Sequence, residues 1–195
     1  MEELLNFLNN NSEAIMAFSA VIVAGLAIYG IREWKRQIKG KTNYEIARRY
    51  LRASLSLRNA ILYVRNPFIP VSEMQTALKE HGFGSDEYTD TIKTNTAVYS
   101  RRWKKVQDTW TDLEAEIIDA EVSWGADAVN ASKSLIILTK KLFAVLQMYI
   151  DGHREKAIKD ELIYNQGSAE NPDEFSKGIA SAIDEIKEFL KPHLL

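Results

Sequence analysis

The sequence predicts an all-α protein: a single N-terminal transmembrane helix followed by an antiparallel helical bundle of about four long helices. Three observations predict it. Residues 14–31 form 18 consecutive positions without a charge, in a chain whose mean hydropathy is only -0.25. Beyond them, apolar residues recur at alternating spacings of three and four over long stretches, the period of an amphipathic helix. Finally, only 4 Pro and 9 Gly punctuate 195 residues, too few for a turn-rich β protein.

The uncharged run comes first. At about 1.5 Å per residue, 18 residues rise roughly 27 Å, close to the hydrocarbon thickness of a bilayer. Glu13 and Arg32 bound it. It is apolar all round, whereas the later helices are two-faced. A cleaved signal peptide does not fit. The preceding residues carry Glu2, Glu3 and Glu13 with no Lys or Arg, and no small-residue cleavage site follows. Within the run, Ala17, Ala20, Ala24 and Ala27 recur at spacings of 3, 4 and 3. Small residues along one stripe let two spans approach closely, so self-association into a homo-oligomer is one expectation.

The flanks set an orientation. From Arg32 to Arg65 ten basic residues stand against Glu33 and Glu45, a net of +8. Lys and Arg gather on the cytoplasmic side, so residues 1–13 are expected outside, 14–39 as the span with its basic juxtamembrane extension, and 42–195 as a cytoplasmic bundle. Arg32, Trp34, Lys35, Arg36, Lys39 and Lys41 are the candidate membrane-surface contacts. Trp34 and Tyr29 supply an inner aromatic belt, and the cations sit near anionic headgroups. The cell inner (plasma) membrane is the expected location.

The bundle follows in order. Gly40 is expected to end the anchor helix, and Thr42 with Glu45 reads as a capping box opening a second one. Ile46, Tyr50, Ala53, Leu57, Ala60 and Val64 make its stripe, closed by Asn66-Pro67. A loop-rich region contains a short helix capped by Ser72 and Gln75 and ended at His81-Gly82. A third helix runs from about Glu87 or Thr94 to Trp124. Its seam is Tyr99, Trp103, Val106, Trp110, Leu113, Ile117, Ala120 and Trp124, a line that needs a partner helix. Trp124-Gly125-Ala126-Asp127 is read as a tight antiparallel turn, with Asp127 as a cap. The fourth helix presents Ala131, Leu135, Leu138, Leu142, Val145 and Tyr149, widened by Ile136, Phe143 and Ile150. A shorter helix is expected over residues 154–164. Asn171-Pro172-Asp173-Glu174 opens the last, with Asn171 as its cap. Phe175, Ile179, Ala182, Ile183, Ile186 and Leu190 form its stripe, and Pro192 stops it.

Composition narrows the chemistry. A net charge of -2 gives no whole-molecule attraction to nucleic acid, and the absence of cysteine excludes disulfides and thiol catalysis. Gly40-Lys41-Thr42 lacks the upstream glycine and the strand of a phosphate-binding loop. His81, His153 and His193 have no metal-ligand spacing. Asp112, Glu116 and Asp119 share a helical face with Glu114 and Glu121 nearby, which reads as a solvated face. The run from Tyr99 to Lys105 mixes basic and aromatic residues, but Trp103 falls on the seam and Arg101, Arg102, Lys104 and Lys105 read as its solvated flank, so nucleic acid is not the expected partner. Phe68-Ile69-Pro70-Val71 is read as packing across the bundle end, with a docking patch as the alternative. No cofactor and no catalytic activity are expected. The layout resembles many small bacterial proteins with an outside N-terminus, one span and a helical cytoplasmic domain; the likeness is architectural and carries no site residues. The expected role is a membrane-tethered interaction module serving a protein partner. The alternative is an oligomerising membrane effector that perturbs the bilayer, of the toxin or phage-defence type.

Overall fold

The structure is a computed structural model that describes residues 12–84, 90–151, 162–165, 167–168 and 170–194. Among these residues there are five helices and no strand: α1 (Ser12–Val64), α2 (Val71–Glu80), α3 (Thr91–Trp124), α4 (Ala126–Ile150) and α5 (Glu174–Leu194). The chain divides into two units, Met1–Asn43 and Tyr44–Leu195. The all-α class and the long apolar N-terminal helix are as the sequence predicts.

α1 overturns one expectation. The helix does not stop at Gly40, and Thr42 and Glu45 form no capping box; α1 continues for 53 residues. Glycine inside a helix costs only about 1 kcal/mol relative to alanine. A break there would leave up to eight backbone groups without partners. Gly40 has nothing within 4 Å of a notional Cβ, so no neighbour forces a turn, and its φ is not positive.

In the second unit, α1 buries Ile46, Ala47, Tyr50, Ala53, Leu57, Ala60, Ile61 and Val64 in the main core. All six positions of the predicted stripe are among them. α3 runs antiparallel to this part of α1: Arg49 reaches Glu116 and Asp119, while Arg102 reaches the carbonyls of Asn66 and Phe68. α3 begins at Thr91, between the two expected starts, because the Asp90 side chain accepts hydrogen bonds from the backbone N–H groups of Ile92 and Lys93 at 2.9 and 3.2 Å.

Gly125 alone separates α3 from α4, with φ 80 and ψ -165. The joint is a turn, as predicted. Trp110 meets Lys140, Trp103 stacks on Phe143, and Tyr99 meets Tyr149, so partners diverge from the joint in opposite directions. Asp127 makes no cap, because the helix is entered directly from Gly125.

The buried face of α4 differs from the expected one. Ala128, Ser132, Leu135, Thr139, Leu142, Val145, Leu146 and Tyr149 are buried, so Leu135, Leu142, Val145 and Tyr149 of the expected stripe are in the core and Ala131 and Leu138 are replaced there by Ala128, Ser132, Thr139 and Leu146. Ser132 and Thr139 look polar in sequence, but their hydroxyls donate to the carbonyls of Val129 and Leu135 of their own helix, at 3.0 and 2.8 Å. Each hydroxyl thereby has a partner within its own helix, which lets the residue be buried. Ala131 and Leu138 are therefore only half-buried, and Phe143 is exposed at the flank.

α2 is not capped by Ser72; Pro70, in extended conformation, precedes Val71 and fixes the start. Its end is as expected. Gly82 has φ 74, and the Phe83 and Gly82 N–H groups donate to Leu78 and Lys79 carbonyls at 3.0 and 3.1 Å, a Schellman closure. α2 and Ile69 pack Ala77 and Leu78 on Ala97 and Val98 of α3 as a small second core. α5 buries all six predicted stripe residues. Its cap is Asp173 rather than Asn171, since Asn171 is tied into the preceding loop by Ser168. Pro192 lies inside the last turn and does not end the helix before Leu194. The short helix expected over 154–164 lies largely outside the described residues.

Candidate functional site

The most distinctive surface is α1 from Met16 to Lys41. Every one of these residues is exposed except Glu33, which is half-buried. Phe18, Val21 and Leu26 stand 69%, 70% and 65% exposed, and no residue of the apolar window is buried by the rest of the chain. This is the one helix among the described residues long and apolar enough to cross a membrane. Ala17, Ala20, Ala24 and Ala27 are all exposed along it, and helical periodicity puts them on one stripe.

The basic residues follow within the same helix. Arg32, Lys35, Arg36, Lys39 and Lys41 are exposed, and Tyr29 and Trp34 project beside them. Arg36 Nη2 pairs with Glu33 Oε1 at 2.9 Å. That hydrogen bond, joined by a weaker one from Gln37, lowers the Glu33 pKa from its ordinary value. The four remaining cations of the collar make no ion pair among the described residues.

Several residues of the other clusters singled out in the sequence are engaged within the chain, while Asp112, Glu114 and Glu121 stay exposed. In the run from Tyr99 to Lys105, Arg101 pairs with Glu80 at 3.0 Å, and Lys104 with Asp108 at 3.2 Å. Lys105 sits 5.2 Å over the Tyr63 ring, and Trp103 is stacked against Phe143. Glu116 and Asp119 hold Arg49 at 2.9 and 2.6 Å. Gly40, Lys41 and Thr42 are helical, so no phosphate-binding loop exists there. His81 Nδ1 lies 3.0 Å from the Ala77 carbonyl at the end of α2, and His193 stacks on Trp124 at 4.0 Å. His153 lies outside the described residues. Among the described residues, no group of three His, Cys, Asp or Glu could hold a metal ion. In Phe68-Ile69-Pro70-Val71, Ile69 packs as predicted, whereas Phe68 and Val71 stay 70% and 63% exposed.

No protein family, curated protein or solved structure matches the chain. Whatever role is assigned to it therefore rests on its own residues.

Two guanidinium groups are buried against expectation: Arg65 counts among the positives after the span, and Arg102 belongs to the basic residues expected on a solvated flank. Arg65 lies at the end of α1 and donates to the Leu162 and Tyr164 carbonyls, Ser176 Oγ and both oxygens of Asp173. Arg102 forks onto both oxygens of Glu73 at 2.8 Å, and Tyr63 donates its hydroxyl to Glu73 at 2.8 Å. Both arginines are at most 1% exposed. The signal was present: Arg65 follows Ile61 by four residues and Arg102 follows Tyr99 by three, so both continue a core stripe. They anchor loops rather than a ligand, because each guanidinium spends most of its donors on backbone carbonyls and one carboxylate.

Proposed function

We propose that the protein is a membrane-tethered helical module, with its N-terminus outside, α1 crossing the inner (plasma) membrane, and Tyr44–Leu195 forming a cytoplasmic interaction domain. One observation carries this reading: of the uncharged run, residues 16–31 are exposed along a helix whose apolar surface the rest of the chain leaves uncovered. In water such a surface is unfavourable by about 25 cal/mol per Å², and burial in lipid removes that cost. The helix also satisfies its backbone hydrogen bonds internally, as a spanning segment must. The basic residues from Arg32 onward favour the cytoplasmic side for everything after the span.

The deciding experiment is fractionation of the full chain followed by protease treatment of intact spheroplasts. The chain is expected in the alkaline-washed membrane pellet, with an N-terminal tag cleaved from outside and a C-terminal tag protected. Recovery in the high-speed supernatant without detergent overturns the reading; a protected N-terminal tag overturns the orientation.

A second reading draws on the exposed Ala17–Ala27 stripe: an effector whose spans associate and perturb the bilayer. It requires that overexpression collapse the membrane potential and that Ala20→Leu with Ala24→Leu relieve the collapse. An intact potential on overexpression discards it.

A further inference from the structure

α3 carries a second stripe that its own bundle does not use. Thr111, Ala115, Ile118 and Val122 are spaced 4, 3 and 4 and all are exposed, Ile118 to 60% and Val122 to 84%. They point away from the buried seam of Leu113, Ile117 and Ala120. On either side stand exposed carboxylates, Asp112 and Asp119 along one edge and Glu114 and Glu121 along the other. Between Lys105 and Lys133 the chain has seven acidic residues and no Lys or Arg. An apolar line edged with one sign of charge is the pattern of a helix that receives a partner helix of the opposite sign.

The chain itself holds such a helix. On α1, Tyr44, Arg48, Leu51 and Leu55 repeat the spacing 4, 3 and 4; Leu51 and Leu55 pack one side against the bundle core, and Glu45 is the single acidic residue among the exposed Arg48, Arg49 and Arg52. Tyr44 is 43% exposed, Leu51 and Leu55 are half-buried, and Arg48 and Arg52 are exposed without an ion pair among the described residues. The heights agree as well. Within one chain Arg49 pairs with Glu116 and Asp119, so Arg48 and Arg52 stand level with the acidic stripe. A two-fold axis along the helices preserves that level in a neighbouring copy.

We infer that two copies pair through their bundles, with the Tyr44–Leu55 face of α1 in one copy seated on the Thr111–Val122 stripe of α3 in the other, and the reciprocal contact closing the dimer. Arg48 and Arg52 of each copy then face the carboxylates Asp112, Glu114 and Glu121 of its partner. The inference is independent of tethering, since it uses only residues of the second unit.

Charge exchange in the full chain in detergent micelles tests it. R48E/R52E and E114K/E121K, each alone, are expected to run as monomers by light scattering, with dimer dissociation constants raised at least tenfold. Mixed together they should dimerise again, because both reciprocal contacts become attractive. The chain has no cysteine. An Arg48→Cys copy and an Ile118→Cys copy should therefore form a mixed disulfide, which reports this contact and not one made through the spans. Wild-type monomers, survival of dimers in the single-sign variants with no mixed disulfide, or failure of the mixture to recover would each overturn the inference. None of these outcomes alters membrane fractionation, so the two proposals fail separately.

Discussion

Arg65 and Asp173, 108 residues apart in sequence, meet in a two-pronged ion pair: Nη2 to Oδ2 at 2.9 Å and Nη1 to Oδ1 at 3.3 Å. The Arg65 side chain is fully buried and that of Asp173 nearly so. The same carboxylate accepts the Ser176 N–H at 2.7 Å and so caps α5. One side chain thus fastens the end of α1 to the start of α5.

Removing one partner leaves the other charge buried and uncompensated, which costs about 3–5 kcal/mol. Asp173→Ala also removes a helix cap, worth about 1 kcal/mol. Chemical unfolding of this variant, followed by circular dichroism, should show a loss of at least about 3 kcal/mol. A loss under about 1 kcal/mol would mean the pair is open in solution.

The pair also makes stability depend on pH. Burial alone would raise the Asp173 pKa, but the Arg65 hydrogen bonds and the Ser176 donors outweigh it and hold the carboxyl at about 2, against an ordinary 3.8. Glu73 is lowered from 4.5 chiefly by its hydrogen bond from Arg102, with burial opposing. A depressed folded-state pKa gives stability that is present above the unfolded value and lost as the pH falls. For Asp173 that is about 2 kcal/mol, lost between about pH 4 and pH 2. Unfolding curves from pH 6 to pH 2 should fall more gently for Asp173→Asn than for the wild type. Parallel curves would count against the assignment.

Two glycines should respond in opposite senses to alanine. At Gly40 the helix is regular and the surroundings open, so Gly40→Ala should stabilise by about 0.5–1 kcal/mol. At Gly125, φ 80 with ψ -165 lies in a region essentially closed to other residues, and Gly125→Ala should cost about 1–3 kcal/mol. Thermal melts of the two variants decide it; a destabilising Gly40→Ala would restore the helix break expected from the sequence.

In the core of α4, Thr139→Val should change stability by less than about 1 kcal/mol. Its hydroxyl only doubles a bond the Leu135 carbonyl already has in the helix ladder. Leu135→Ala, one turn away and fully buried, should cost about 2–5 kcal/mol. Denaturant midpoints for the pair measure the contrast, and equal losses would show the Thr139 hydroxyl to be an essential partner.

Leu26→Arg places a charge near the middle of the uncharged run, where insertion is penalised by about 2.5–3.5 kcal/mol. The membrane-bound fraction after alkaline washing should drop sharply, while Val122→Arg, on the exposed face of α3, should leave it unchanged. Equal retention of both variants would remove lipid as the solvent for α1.

By itself the sequence determined the helical class, the uncharged run, the stripes of α1, α3 and α5, and the turn at Gly125. Each is written in local periodicity or in a residue whose backbone freedom a turn requires. It also showed the membrane-facing candidates as residue types, because exposed Ala, Lys, Arg and Trp on a lone helix need no tertiary partner to be recognised. Tertiary structure alone decided the rest. It kept Gly40 helical, since nothing nearby rewards a break, and it turned Ser132 and Thr139 inward, since a hydroxyl bonded to its own backbone packs like an apolar group. It buried Arg65 and Arg102 beside Asp173 and Glu73. The reason is common to all of them: a polar group becomes a core group only when distant residues supply its hydrogen bonds, and no local pattern says which residues those will be.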